Sequence, residues 1–142
     1  MTQEDKELLQ QDLCARLPYG VVVETQLVNV QRAKYPVLKV LQSYMLCDFM
    51  QTIENVIHKP YLRPMSSMTE EEKEELKNLF DAEEVTSYSI CYIEGGTLVE
   101  YLSPIPYSFC YKIIDWLNKN MFDYRGLIVK GLALEAPEGM YN

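Results

Sequence analysis

The chain is expected to fold as α+β, a small, mostly antiparallel sheet with about three helices packed on it. Three observations carry this expectation. Short runs rich in β-branched and aromatic residues, such as "VVVETQLVNV" and "VTSYSICYI", are interspersed with capped amphipathic stretches. They come in mixed order, without the repeated strand–helix–strand unit that builds a parallel sheet. A length of 142 residues, 48% hydrophobic and 24% charged, suits one globular domain spanning residues 1–142 rather than a disordered chain. A chain of this size buries about two-thirds of its unfolded surface.

Thr2 can cap a first helix, with Asp5 at the third helical position near the positive end of the helix dipole. Leu9, Leu13 and Leu17 then repeat at four-residue spacing, and Pro18 and Gly20 stop the helix. Val21 to Val30 reads as a strand and "QRAKYP" as a connection. Val37 to Met50 stays open: its start alternates like a strand, and its later part suits a buried strand or a helix. Val56 to Leu62 is expected to be extended, and Pro60 suggests an edge strand, where a missing N–H is tolerated.

Thr69-Glu-Glu-Glu72 has the spacing of a capping box, and Leu76, Leu79 and Phe80 follow as an apolar stripe, so a short helix is expected here. Val85 to Ile93 and Leu98 to Leu102 form the clearest hairpin pattern, with Gly95-Gly96 at its turn. Ser103 or Pro104 opens a helix through about Asn120. Phe109, Ile113, Trp116 and Leu117 lie on one side of it, and Lys119 is near its negative end. In the tail, "LIV" and "LAL" suit short strands or packed loop.

The net charge of −8 comes entirely from residues 67–142, and Thr69 to Glu84 alone has eight acids against two lysines. Such a chain repels nucleic-acid phosphates in general and favours basic partners. Cys14, Cys47, Cys91 and Cys110 are widely spaced and there is one histidine, so neither a zinc site nor any other cofactor is expected. "MTQEDKELLQQD" lacks an apolar leader core, and no apolar run has the ~18 residues of a membrane span. The cysteines are therefore expected to be reduced and mostly buried, in a cytoplasmic protein.

Catalysis finds little support. A nucleophilic cysteine needs a base, and no cysteine lies near His58 in the sequence. The glutamates fall mostly on one capped helix rather than converging on a point, no DxDxDG calcium loop is present, and Gly95-Gly96 lacks a phosphate-loop context. Arg125, between the aromatic residues Phe122 and Tyr124 on one side and Gly126 on the other, suits a buried clasp to a carboxylate that pins the tail, with an interaction site as the alternative. The residues expected to form an interaction surface are His58, Lys59, Tyr61 and Arg63, as a basic aromatic stripe, with Glu71, Glu74 and Glu75 on the acidic helix beside it. Solvated surface is the alternative for all of them.

"KPYLRPMSSMTEEEKEEL" and "FDYRGLIVKGLALEAPEGMYN" together resemble a family of small uncharacterised proteins of gut bacteria, their prophages and other mobile elements. The two stretches cover 39 of 142 residues. Here His58-Lys59 makes the approach to "PYLRP" slightly longer, and Val129-Lys130 occupies the "GLI–GLALEAP" connection. The resemblance implies a genomic setting, with no activity, cofactor or site residue attached. The function expected is a non-enzymatic accessory protein of a phage or mobile element that binds another protein, with a basic partner favoured by the charge. The alternative is a regulator of nucleic-acid machinery, either an acidic DNA mimic or a nucleic-acid binder acting through His58–Arg63.

Overall fold

Thr2 opens the first helix in the computed structural model, which describes residues 1–27, 30–50, 56–81 and 107–141. These residues group into two compact units, Met1–Leu62 with Leu127–Met140, and Arg63–Gly126.

In the first unit, helix α1 is Gln3–Arg16 and carries the expected capping box. The Thr2 hydroxyl accepts from the Asp5 amide at 3.1 Å, and the Asp5 carboxylate accepts from the Thr2 amide at 3.1 Å. That backbone hydrogen bond holds the Asp5 carboxyl below its usual range. Leu9 and Leu13 are fully buried, whereas Leu17 starts a 3-10 turn, Leu17–Tyr19, and is only half-buried. Asp12 and Arg16 complete the buried face instead, as a bidentate ion pair with Nε–Oδ2 2.8 Å and Nη2–Oδ1 3.1 Å. Gly20 ends the turn at φ +72°, a conformation a side chain would strain.

Strand β1, Val22–Leu27, is shorter than the expected run to Val30. Strand β2, Leu38–Val40, and helix α2, Ser43–Met50, settle the open segment as a strand followed by a helix. Strand β3, Val56–Leu62, has the expected bounds but not the expected place. The sheet order is β2-β1-β3-β4, with β4 at Leu134–Glu135, so β3 lies inside the sheet rather than at its edge. Pro60 fits because β4 pairs only with Tyr61 and Leu62, and among the described residues no strand lies on the side its missing N–H faces. The β1 pairings are antiparallel and the β3–β4 pairing is parallel, so the α+β sheet is mixed, and the described helices number four rather than three. Val21, Val23, Ile57 and Leu62 are buried, and α2 packs on α1 and β3.

In the second unit, helix α3 is Glu70–Asp81 and helix α4 is Tyr107–Lys119. Leu76, Ile113, Leu117 and Phe122 form the core, with Trp116 stacked on Phe122 at 5.6 Å between ring centroids. Helix α4 ends in a Schellman motif: Phe122 N–H donates to Leu117 and Met121 N–H to Asn118. Met121 takes the left-handed position, φ 60°, normally given to glycine. Burial of its side chain and a 2.7 Å bond from Arg63 N–H to its carbonyl offset that strain. The expected hairpin of residues 85–102, the first residues of the helix expected from Ser103 or Pro104, and the side chains of Phe80, Phe109, Cys47, Cys91 and Cys110 lie outside the described set.

Candidate functional site

The 30–39 segment leaves an open cleft of about 480 Å³ beside the last residues of β1. Its origin is the register of β2. Val23 pairs with Lys39 and Glu24 with Leu38, and continuing the pairing would set Pro36 opposite Gln26. The pairing stops before that, at Glu24–Leu38, and the chain leaves the sheet ahead of β2. Leu41 N–H donates to the Val21 carbonyl, which turns the backbone groups of Val21, Val23, Thr25 and Leu27 towards the β2 side. The Leu27 carbonyl accepts from Val30 N–H at 3.3 Å. Among the described residues, no strand faces Thr25 and the Leu27 N–H on that side.

Glu24 forms the polar floor and is buried. Arg32 grips it with two bonds of 2.7 Å, Tyr61 Oη donates to it at 2.7 Å, and Gln26 Nε2 donates at 2.9 Å. Arg32 also donates to Tyr61 Oη at 3.1 Å. The hydrogen bonds from Arg32, opposed by burial and helped by Tyr61 and Gln26, lower the Glu24 pKa to about 2. Burial, then the Glu24 carboxylate, pushes the Tyr61 phenol up, so it stays a donor. The rim is apolar and open: Leu27 is 54% exposed, Val30 62%, Val37 72% and Tyr35 80%. Exposed apolar side chains gathered at one edge mark a binding surface more often than scattered ones do.

The expected basic aromatic stripe does not form. His58 and Tyr61 are buried, which removes them from any surface. Residues alternate across a strand, so His58 faces away from Lys59, Tyr61 and Arg63. His58 Nδ1 shares a 2.8 Å hydrogen bond with Thr25 Oγ1 on the paired strand, Lys59 is half-buried opposite Glu24, and Tyr61 belongs to the Glu24 cluster.

Arg63 serves the second unit. Its guanidinium forks onto Glu72 with two bonds of 2.8 Å and lies 4.3 Å from the Phe122 ring centroid. Glu72 also closes the capping box, since its Oε2 accepts from the Thr69 amide at 2.9 Å and Thr69 Oγ1 accepts from the Glu72 amide at 3.2 Å. The Arg63 bonds, more than those of Thr69, lower the Glu72 pKa. "RPMSSMTEEE" is therefore a cap clamped by an arginine. Thr69→Ala is expected to cost ~1 kcal/mol of stability, read as a lower denaturant midpoint with unchanged slope; an unmoved midpoint would remove the cap from the account. Glu71, Glu74 and Glu75 are exposed on α3, and Glu75 accepts from Trp116 Nε1 at 3.3 Å.

Arg125 is half-buried, and its guanidinium donates to the Tyr124 hydroxyl and lies over that ring. Cys14 is exposed, on the outer face of α1 while Leu13 faces inward, and the side chains of the other three cysteines, expected mostly buried, lie outside the described set. Among the described residues, no cluster of three or more metal-ligating side chains occurs, and no helix is long and apolar enough to cross a membrane.

The sequence reading missed Glu24 and Arg32. The available signal was a lone acid inside a β-branched strand, "VVVETQL", followed after a turn by an arginine. Comparison of the chain with family models, curated proteins and solved structures finds no match in any of the three.

Proposed function

We propose that the protein acts by binding another protein, and that the cleft beside Thr25–Leu27 receives an extended segment of that partner. One observation carries the reading: a strand edge that no described strand covers, bordered by exposed Leu27, Val30, Tyr35 and Val37 over a preorganised polar floor. A peptide added to a sheet edge gains main-chain hydrogen bonds, and flanking side chains set its specificity. The accessory role in a phage or mobile element, implied by the two family-like stretches, belongs to the same proposal.

The test is selection of displayed random peptides on the intact protein. Enriched peptides should be extended and apolar, and should lose binding when Leu27 and Val37 are both changed to Asp, two exposed positions whose substitution leaves the core untouched. Selection that enriches nothing, or binders indifferent to both changes, would overturn the reading.

A further inference from the structure

We infer that Thr25 and His58 form a nucleophile–base pair at the cleft, which takes the acyl group of a short aliphatic carboxylic ester. This goes beyond the protein-binding reading and does not depend on it. Thr25 Oγ1 lies 2.8 Å from His58 Nδ1, within the reach a base needs to take a hydroxyl proton. The two residues face each other across the β1–β3 pairing, 33 positions apart in the chain. Their exposures differ. Thr25 is open and lines the cleft, whereas His58 is only 3% exposed behind it. The hydroxyl is thus presented to a ligand while its base is held in place, out of water.

Lys39 belongs to the same face. It pairs with Val23, and side chains alternate along a strand, so Val23, Thr25, His58 and Lys39 project from one side of the sheet. Lys39 is the diagonal neighbour of Thr25, about 7–8 Å away, a separation that a long side chain spans. It is exposed and lines the cleft. Leu27 shares this face, and with Val37 at the rim it supplies aliphatic contacts for a short acyl chain. Glu24, gripped by Arg32, projects from the opposite face and takes no part.

In the tautomer with its proton on Nε2, His58 accepts the Thr25 proton at Nδ1 as Oγ1 attacks the ester carbonyl carbon. The Lys39 ammonium, on the same face, stabilises the oxyanion that forms. The C–O bond to the alcohol breaks, and the leaving oxygen takes the proton from Nδ1. Water then gives a proton to Nδ1 and attacks the Thr25 ester. The carboxylic acid leaves, and Oγ1 recovers the proton. The balance is one ester and one water to one acid and one alcohol.

The probes, both applied to the intact protein, are p-nitrophenyl butyrate, read by release of p-nitrophenol, and a fluorophosphonate, read by mass mapping of the labelled residue. The fluorophosphonate should modify Thr25 of the native chain, a readout that needs no variant. Thr25→Ser should keep ester hydrolysis, and Thr25→Val should lose it. His58→Gln can still hydrogen-bond Thr25 but cannot take up its proton, so it should slow hydrolysis by at least about 100-fold. Lys39→Met should slow hydrolysis by about tenfold, less than loss of a buried oxyanion donor would, with the label still on Thr25. An unlabelled Thr25 in the folded native protein, or label confined to lysines, would overturn the inference. So would hydrolysis that Thr25→Val and His58→Gln leave unchanged. The pair would then be a cross-strand hydrogen bond that only satisfies the buried histidine. None of these outcomes bears on the peptide selection, so the two readings fail separately.

Discussion

Asp12→Ala is expected to lower the stability of the protein by about 3–5 kcal/mol, the largest effect of any single substitution considered. Asp12 and Arg16 are both fully buried, one turn apart on α1, on the face that also buries Leu9 and Leu13. The Asp12 carboxylate accepts from two of the guanidinium N–H groups, which offsets much of the cost of withdrawing both charges from water. Removing the carboxylate leaves the guanidinium buried without that compensation, which costs far more than the lost attraction. The same reasoning gives an opposite expectation for the double variant Asp12→Leu, Arg16→Met. With both charges gone and the volume filled, its stability should return to near that of the native chain or exceed it. Urea unfolding of the three proteins decides the matter. A single variant within about 1 kcal/mol of the native chain would show that the pair is not the buried element described.

How much of this was legible in the sequence depends on the reach of each interaction. The caps at Thr2 and Thr69 were readable because donor and acceptor are three residues apart. The Asp12–Arg16 spacing was equally local, but a polar pair within a helix is ordinarily read as its wet side. Val37 to Met50 could not be assigned, because a short apolar run satisfies either period. Proline in β3 suggested an edge, yet strand order is a property of pairings that no local pattern records. His58 and Tyr61 show the same limit most directly: their partners Thr25 and Glu24 lie 33 and 37 residues away. What reads as a basic aromatic stripe in one strand becomes, once β1 is beside it, two buried polar contacts on opposite faces. The cleft was hidden for a related reason. "QRAKYP" marked a connection, but only the register of β2 against β1 shows that the pairing stops at Glu24–Leu38, with no described strand beside Thr25.

Acid should destabilise the protein through Glu24, and Glu24→Gln should remove that part of the acid response. The Arg32 fork, Tyr61 and Gln26 stabilise the ionised carboxylate, setting its pKa at about 2 in the folded protein against 4.5 ordinarily. A group whose pKa is lowered by folding contributes stability above its unfolded value and loses it as pH falls through the folded one. The contribution is thus full above about pH 4.5 and gone below about pH 2, and is on the order of 3 kcal/mol at neutral pH. Tyr61 remains a phenol throughout this range and Arg32 a cation, so neither of these hydrogen-bonding partners titrates with it. Asp5 and Glu72 are also held low, by Thr2 and by Arg63, and destabilise in the same direction. They are unchanged in Glu24→Gln, so the difference between the two stability curves isolates Glu24. Urea unfolding across the acid range should show the variant less stable at neutral pH, with the gap closing as pH falls. Parallel curves would mean that Glu24 is not held ionised by the cluster, and the preorganised floor of the cleft would go with it.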